Sequence, residues 1–320
     1  MNLFSILILT YNSPLEKIKR TINSVLVQDL KDYEIIISDD GSSVTFFEEI
    51  RDYFKKAGFS NYTIIENKVN VGTTKNFIIA LENASGFYIK GVGPGDMLYD
   101  PSTLSHLYHY MNSNPCKLAF GLINSFTNSS DQYVLHDFHS PIVINEYSKK
   151  EPNSRRILRD IMYFGNMISG CNLFAERDFI LDLCRRTAGI VKYCEDLMQI
   201  FAFIDGCKIG YLPEPILWYE YGSGISKKSN TYNLIQKDFD DFYRYLGSTY
   251  GKNKIIMKGI RLRNLNLIKM RSIRIIVKTI YAPQIIPFFI KKLYNERTCK
   301  ADNSQEKYEA LLNMLSVNIF

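Results

Sequence analysis

Four apolar runs, each ending in a polar loop and followed by a helical pattern, fill the first hundred residues and narrow the possible folds more than any other feature. The runs are FSILILTY (Phe4 to Tyr11), YEIIISDD (Tyr33 to Asp40), YTIIEN (Tyr62 to Asn67) and GFYIKGV (Gly86 to Val92). They are nearly continuous in Ile, Leu, Phe and Tyr rather than alternating, as strands covered on both faces are. Helical periodicity separates them at Pro14 to Gln28, Val44 to Lys56 and Thr73 to Asn83. Strand–helix alternation at this spacing predicts an α/β fold built on parallel strands with right-handed crossovers.

Beyond Pro101 the pattern becomes mixed. A helix is expected over Ser102 to Asn112, then an apolar run from Cys116 to Ile123 and a hairpin region reaching Glu146. Further helices are expected over Ser154 to Tyr163, Glu176 to Thr187 and Cys194 to Asp205, and two short strands, KIGYL and PILWYEY, close the body. From Asn230 onward the chain reads as mostly helical. The division expected is residues 1–228 as the α/β domain and residues 229–320 as a basic helical extension.

Ligands of parallel α/β sheets bind at the carboxyl ends of the strands. Four polar loops fall there: Thr10-Tyr11-Asn12, Asp39-Asp40-Gly41-Ser42-Ser43, Asn70-Val71-Gly72 with Lys75-Asn76 behind it, and Gly93-Pro94-Gly95-Asp96. Each alone has the composition of a helix-capping turn. Four in register on one rim point to a binding edge. GVGPGD has the wrong spacing and position for a dinucleotide fingerprint, and no phosphate-cradling P-loop is present.

In order and spacing, these loops and the later CEDLMQ and GCKIGYLPEPILWYEY segments resemble the family 2 glycosyltransferases of the GT-A fold, from Phe4 to about Ser226. The resemblance implies a Rossmann-like mixed sheet, a nucleotide-diphospho-sugar donor and a role in bacterial surface polysaccharide synthesis. Thr10, Tyr11 and Asn12 would frame the donor's base, and Asp39, with Asp40 beside it, would meet its imide N–H. A carboxylate suits the N3–H of uracil or thymine, so a UDP- or dTDP-sugar is expected. Lys75 would approach the diphosphate as a point charge.

The fourth loop departs from the family's Asp-x-Asp. Only Asp96 remains to hold Mg²⁺ or Mn²⁺ against the diphosphate, which leaves a metal requirement open. Glu220 stands where many relatives carry a basic residue. The resemblance makes Asp196 the general base for the acceptor hydroxyl, with Glu195 as a supporting carboxylate, and the reaction inverting. The acceptor expected is a glycan, lipid-linked as in capsule or O-antigen assembly. The Gly-rich stretch from Tyr219 to Ser226 is expected to close over a substrate. The competing reading is a non-catalytic module that binds sugar nucleotide or glycan through a decayed metal site.

Charge bears on where such a protein would work. The chain of 320 residues carries a net +6, from 39 Lys and Arg against 33 Asp and Glu. Between Gly251 and Lys292 stand eleven Lys or Arg and no acidic residue, which leaves −5 for the remainder. Within it, Met270, Ile273, Ile276, Val277 and Ile280 share one helical face, with Arg271, Arg274 and Lys278 opposite. Residues 251–292 are therefore expected to meet an anionic membrane surface, or else to pack on the body with their cations solvated. Nucleic acid is not an expected partner, since the body is acidic. The six scattered cysteines show no CxxC, and the N-terminus lacks a basic n-region. A cytoplasmic protein lying on the inner membrane face is the expectation. His136 and His139 have metal-compatible spacing but no third ligand nearby in sequence.

Overall fold

The computed structural model describes residues 2–129, 132–136, 140–222, 232–298 and 305–317. One mixed sheet organises the body. Strands β1 (Phe4–Thr10), β2 (Tyr33–Asp39), β3 (Tyr62–Glu66) and β4 (Tyr88–Gly91) lie parallel in the order β3-β2-β1-β4. Register places Thr10 opposite Asp39, and Asp39 opposite Glu66, so the polar loops leave the sheet from one edge.

The sheet then changes direction. β8 (Leu173–Glu176) pairs antiparallel with β4 and with β6 (Leu118–Ser129). β9 (Ile209–Glu220) runs parallel to β6, and the two-residue β5 (Met97–Leu98) pairs antiparallel with β9. β7 (Gln132–His136) forms the expected hairpin with β6. KIGYL and PILWYEY are one strand rather than two, because register shifts against β6 absorb Pro213 and Pro215 without breaking the pairing. β5 and β8 have no counterpart in the sequence reading. They are two and four residues long, and β8 runs directly into a helix.

Helices cover both faces. α1 (Leu15–Leu26), α2 (Phe47–Lys56) and α4 (Thr103–Ser113) cover Ile6, Ile8, Ile35 and Ile37 on one side. α3 (Thr73–Asn83), α5 (Ser154–Phe164), α6 (Arg177–Thr187) and α7 (Gln199–Ile204) cover Leu7, Ile36 and Ile89 on the other. Burial of successive residues against opposite helical layers explains the unbroken apolar runs.

The C-terminal helices join this body. α8 (Tyr232–Thr249) and α9 (Lys254–Asn264) contribute Phe242, Leu246 and Ile256 to the α3–α7 core. α10 (Arg271–Tyr281) has no buried residue. α11 (Ile285–Thr298) docks through Phe288, stacked on Phe164 at 4.5 Å between ring centres. α12 (Gln305–Val317) returns to the sheet. Its Tyr308, Leu311 and Leu315 close a cluster with Met97, Tyr99, Phe126 and Trp218.

Candidate active site

The first two loops are tied into one rim. Thr10 donates from its hydroxyl to Asp39 Oδ2 at 2.8 Å, and Ser42 donates to both Asp39 oxygens, from N–H at 2.8 Å and from Oγ at 2.6 Å. Asn12 takes a left-handed backbone (φ 48°) that its short polar side chain tolerates. Its N–H donates to Ser42 Oγ, and its Oδ1 accepts from Ser43 N–H and Oγ. Tyr11 is left 45% exposed at the tip, which suits a ring that receives another ring.

Asp40 faces elsewhere. Its two oxygens accept from Val71 and Gly72 N–H at 2.7 and 3.0 Å, binding the second loop to the third. Burial raises its carboxyl above the ordinary range, partly offset by those amides. Its carboxylate is thus occupied by the chain itself, as is that of Asp39, whose oxygens accept from Thr10 and Ser42. Asn76 is likewise internal: it accepts from Ser38 Oγ and donates to Ser38 O, fastening α3 to β2. Lys75 is exposed on the first turn of α3.

The fourth loop is buried. Asp96 is 5% exposed and accepts from Glu220 N–H at 2.8 Å. Its carboxyl is pushed up to about 7, chiefly by burial, with the Lys90 charge pulling the other way. Lys90, in β4, is fully buried, and burial lowers it to about 8. Its ammonium donates to the carbonyls of Gly91 and Cys171. Glu220 is also held: Lys17 and Arg20 of α1 lie 2.7 and 3.2 Å from its Oε2. The acidic residue at this position is thus matched by two cations from another element, a pairing that sequence distance hid.

A divalent ion can be tested against these groups. Among the described residues no three His, Cys, Asp or Glu side chains converge as ligands. Asp96 offers one carboxylate, 5% exposed and with one oxygen already accepting from Glu220 N–H, so the described residues supply at most a single protein ligand to such an ion.

Glu195 and Asp196 open a 3-10 turn (Glu195–Met198) that runs into α7, where the sequence suggested one continuous helix. Burial raises both carboxyls well above their ordinary range, and repulsion from Asp196 lifts Glu195 further. Gln199 steadies the turn by donating to Asp196 O and Ile168 O, both at 2.8 Å, and accepting from Ile168 N–H.

The link between this pair and the fourth loop is the 3-10 turn Gly170–Asn172. Gly170 lies against the pair so closely that a Cβ on it would stand 3.1 Å from Glu195 Oε1. Cys171 feels the charges of Asp96 and Lys90 on one side and of Asp196 on the other, and burial raises its thiol to about 12. Buried Asp96 and Lys90 thus connect through the Cys171 carbonyl and Gly170 to Glu195 and Asp196, which are half-buried. Lys192, three residues before Glu195, reaches the third loop: its carbonyl accepts from Thr74 N–H at 3.1 Å.

Sequence reasoning missed Lys90, Cys171, Gln199 and Lys192. Lys90 carried a signal, as the lone charge inside an apolar strand run. Cys171 carried none. His136 Nε2 lies 2.9 Å from Thr127 Oγ1, while His139 lies outside the described residues. So do residues 223–226 of the loop expected to close over substrate.

Comparison with known proteins bears on the family and the fold. A glucosyltransferase from Escherichia coli, named UDP-Glc:alpha-D-GlcNAc-diphosphoundecaprenol beta-1,3-glucosyltransferase WfaP, is 30% identical over 274 residues, covering 86% of this chain and 88% of its own. An uncharacterized glycosyltransferase of Haemophilus influenzae is 25% identical over 284 residues, covering 85% and 80%. Among solved structures, S. aureus TarS 1-349 in complex with UDP superposes with a TM-score of 0.54 at 16% identity, over 97% of this chain and 92% of that one, and so shares the GT-A fold. The family profile of glycosyl transferase family 2 matches residues 5–179, which is more than half of the sequence. The chain belongs to glycosyltransferase family 2.

Proposed function

We propose that this glycosyltransferase moves a sugar from a UDP-sugar to a hydroxyl of a lipid-linked glycan, with inversion, at a membrane surface. The observation that carries the reading is the half-buried Glu195–Asp196 pair, which the Gly170–Asn172 turn links to Lys90 beside the fourth loop through the Cys171 carbonyl. Asp196 takes the acceptor hydroxyl proton as the acceptor oxygen bonds to the anomeric carbon. The bond from that carbon to the diphosphate oxygen breaks on the opposite face, and the nucleoside diphosphate leaves with the electron pair. Asp39 and the Thr10–Asn12 loop receive the base, and Lys75, exposed on the first turn of α3, meets the diphosphate. A divalent ion held by Asp96 would neutralise charge on the leaving group. The UDP-glucose and diphosphoundecaprenol in the name of the Escherichia coli relative support this choice of donor and acceptor.

Membrane placement has its own support. Ile273, Ile275, Ile276 and Ile280 of α10 and Ile286, Phe289 and Ile290 of α11 are exposed, within the segment that carries eleven cations. No single described helix is long and apolar enough to span a bilayer, and α10 and α11 meet at a 106° bend. That geometry suits helices lying in the headgroup region.

The test is transfer from UDP-, dTDP- and GDP-sugars to a sugar-diphosphoundecaprenol, with Mn²⁺ or with EDTA. Turnover with a UDP-sugar that Asp196→Asn abolishes supports the reading. Donor binding without turnover on any acceptor would favour the non-catalytic module, and full activity of Asp196→Asn would remove the assigned base.

A further inference from the structure

We infer that Asp238, on α8 of the C-terminal extension, is a positioning residue that sets the catalytic loop through three backbone amides. This rests on the reading of Glu195 and Asp196 as the acid pair. One oxygen, Asp238 Oδ2, accepts from the N–H groups of Lys192, Tyr193 and Cys194 at 3.0, 2.6 and 3.1 Å. Those are the three residues immediately before the pair. Three consecutive amides converging on one anion form a nest, whose shape is fixed only while the anion is present.

The location argues against a packing role. Asp238 is 4% exposed and shares its helical face with Phe242 and Leu246, both fully buried in the core. A carboxylate at the head of an apolar stripe costs desolvation that a Leu would avoid, unless its hydrogen bonds offset that cost. Here they do, and every one of them goes to the catalytic loop. The same loop reaches forward, since Lys192 O accepts from Thr74 N–H behind the third rim loop. Asp238 thus holds the point at which the donor rim, the acid pair and the C-terminal helices meet. The titratable groups facing Glu195 and Asp196 are Cys171 from its turn, Cys184 from α6, Cys194 from the loop and Asp238 from α8.

The test uses Asp238→Ala and Asp238→Asn in the full chain, with amide hydrogen exchange of residues 192–194 and steady-state kinetics across pH. In Asp238→Ala, exchange of those amides is expected to rise at least about tenfold, and kcat to fall about tenfold or more with donor KM nearly unchanged, as for a misplaced catalytic group. Asp238→Asn keeps an acceptor oxygen and should recover most of the rate. Its acid limb should move to lower pH, because a negative charge beside Glu195 is gone. Folded Asp238→Ala with unchanged exchange and kcat overturns the inference. So does a loss of kcat with exchange raised evenly across the chain, which marks general destabilisation. Local loss of protection supports the anchor whether or not transfer is detected, whereas absence of transfer in the wild type overturns only the acid-pair reading.

Discussion

At the scale of single residues, the raised carboxyls of Glu195 and Asp196 bear on pH behaviour. Glu195 and Asp196 are raised by burial, so the acid limb of kcat is expected well above pH 4, and a pH–rate profile would show it. The sign for stability is opposite to that of an ion-paired acid. With folded values raised, the native state keeps protons that the unfolded chain releases, so stability falls as pH rises from the ordinary carboxylate range through the raised one. Glu195→Gln removes that cost. Its melting temperature should exceed the wild type's at pH 8 and match it near pH 4, as calorimetry at both pH values would read. Gly95 offers a second test. Its φ of +102° and the Glu220 carboxylate beside it leave no room for a side chain. Gly95→Ala should destabilise the protein by about 1–3 kcal/mol in denaturant titration, through strain and displacement of the Lys17–Arg20–Glu220 group.

Among the elements, α12 shows how a distant segment supports the site. Tyr308 lies within 5.0 Å of the Phe126 and Trp218 rings, centre to centre, and Trp218 precedes Glu220 by two residues on β9. Tyr308→Ala should cost about 3–5 kcal/mol in chemical unfolding, the range for a large aromatic removed from a packed cluster. The helix α3 illustrates the reverse case. Its bounds, Thr73–Asn83, follow from a glycine turn ahead of an amphipathic run, and the sequence shows both. The turn at Glu195 reads as helix in the sequence because its apolar spacing continues into α7; the amides ahead of it are instead drawn to Asp238, 44 to 46 residues on.

Across the whole molecule, charge and apolar surface are separated by place. The segment from Gly251 to Lys292 carries +11 and the remainder of the chain −5. Flotation with anionic liposomes should be lost when Arg271, Arg274 and Lys278 are changed to Glu, since each cation near such a surface contributes about 1 kcal/mol. Ile273→Ser with Ile276→Ser and Ile280→Ser should weaken binding at high salt as well, because the apolar term is not screened. Binding that survives both sets would remove this segment from the membrane contact, and a wild type that does not float would remove the membrane from the reading.

The sequence by itself determined the parallel half of the sheet, its four rim loops and the family. Each is written in local patterns: unbroken apolar runs, turn residues at strand ends, and motifs of a few neighbouring residues. It also named Asp39, Asp96, Glu195 and Asp196. Tertiary structure decided what surrounds them. The cations of α1 that meet Glu220, the Lys90 ammonium against the Cys171 carbonyl, and the Asp238 carboxylate under the amides of residues 192–194 join residues separated by 44 to 203 positions. Such pairings have no period and no motif. They exist because burial makes an unpaired charge too costly, and only the folded chain settles which buried group stands close enough to pair.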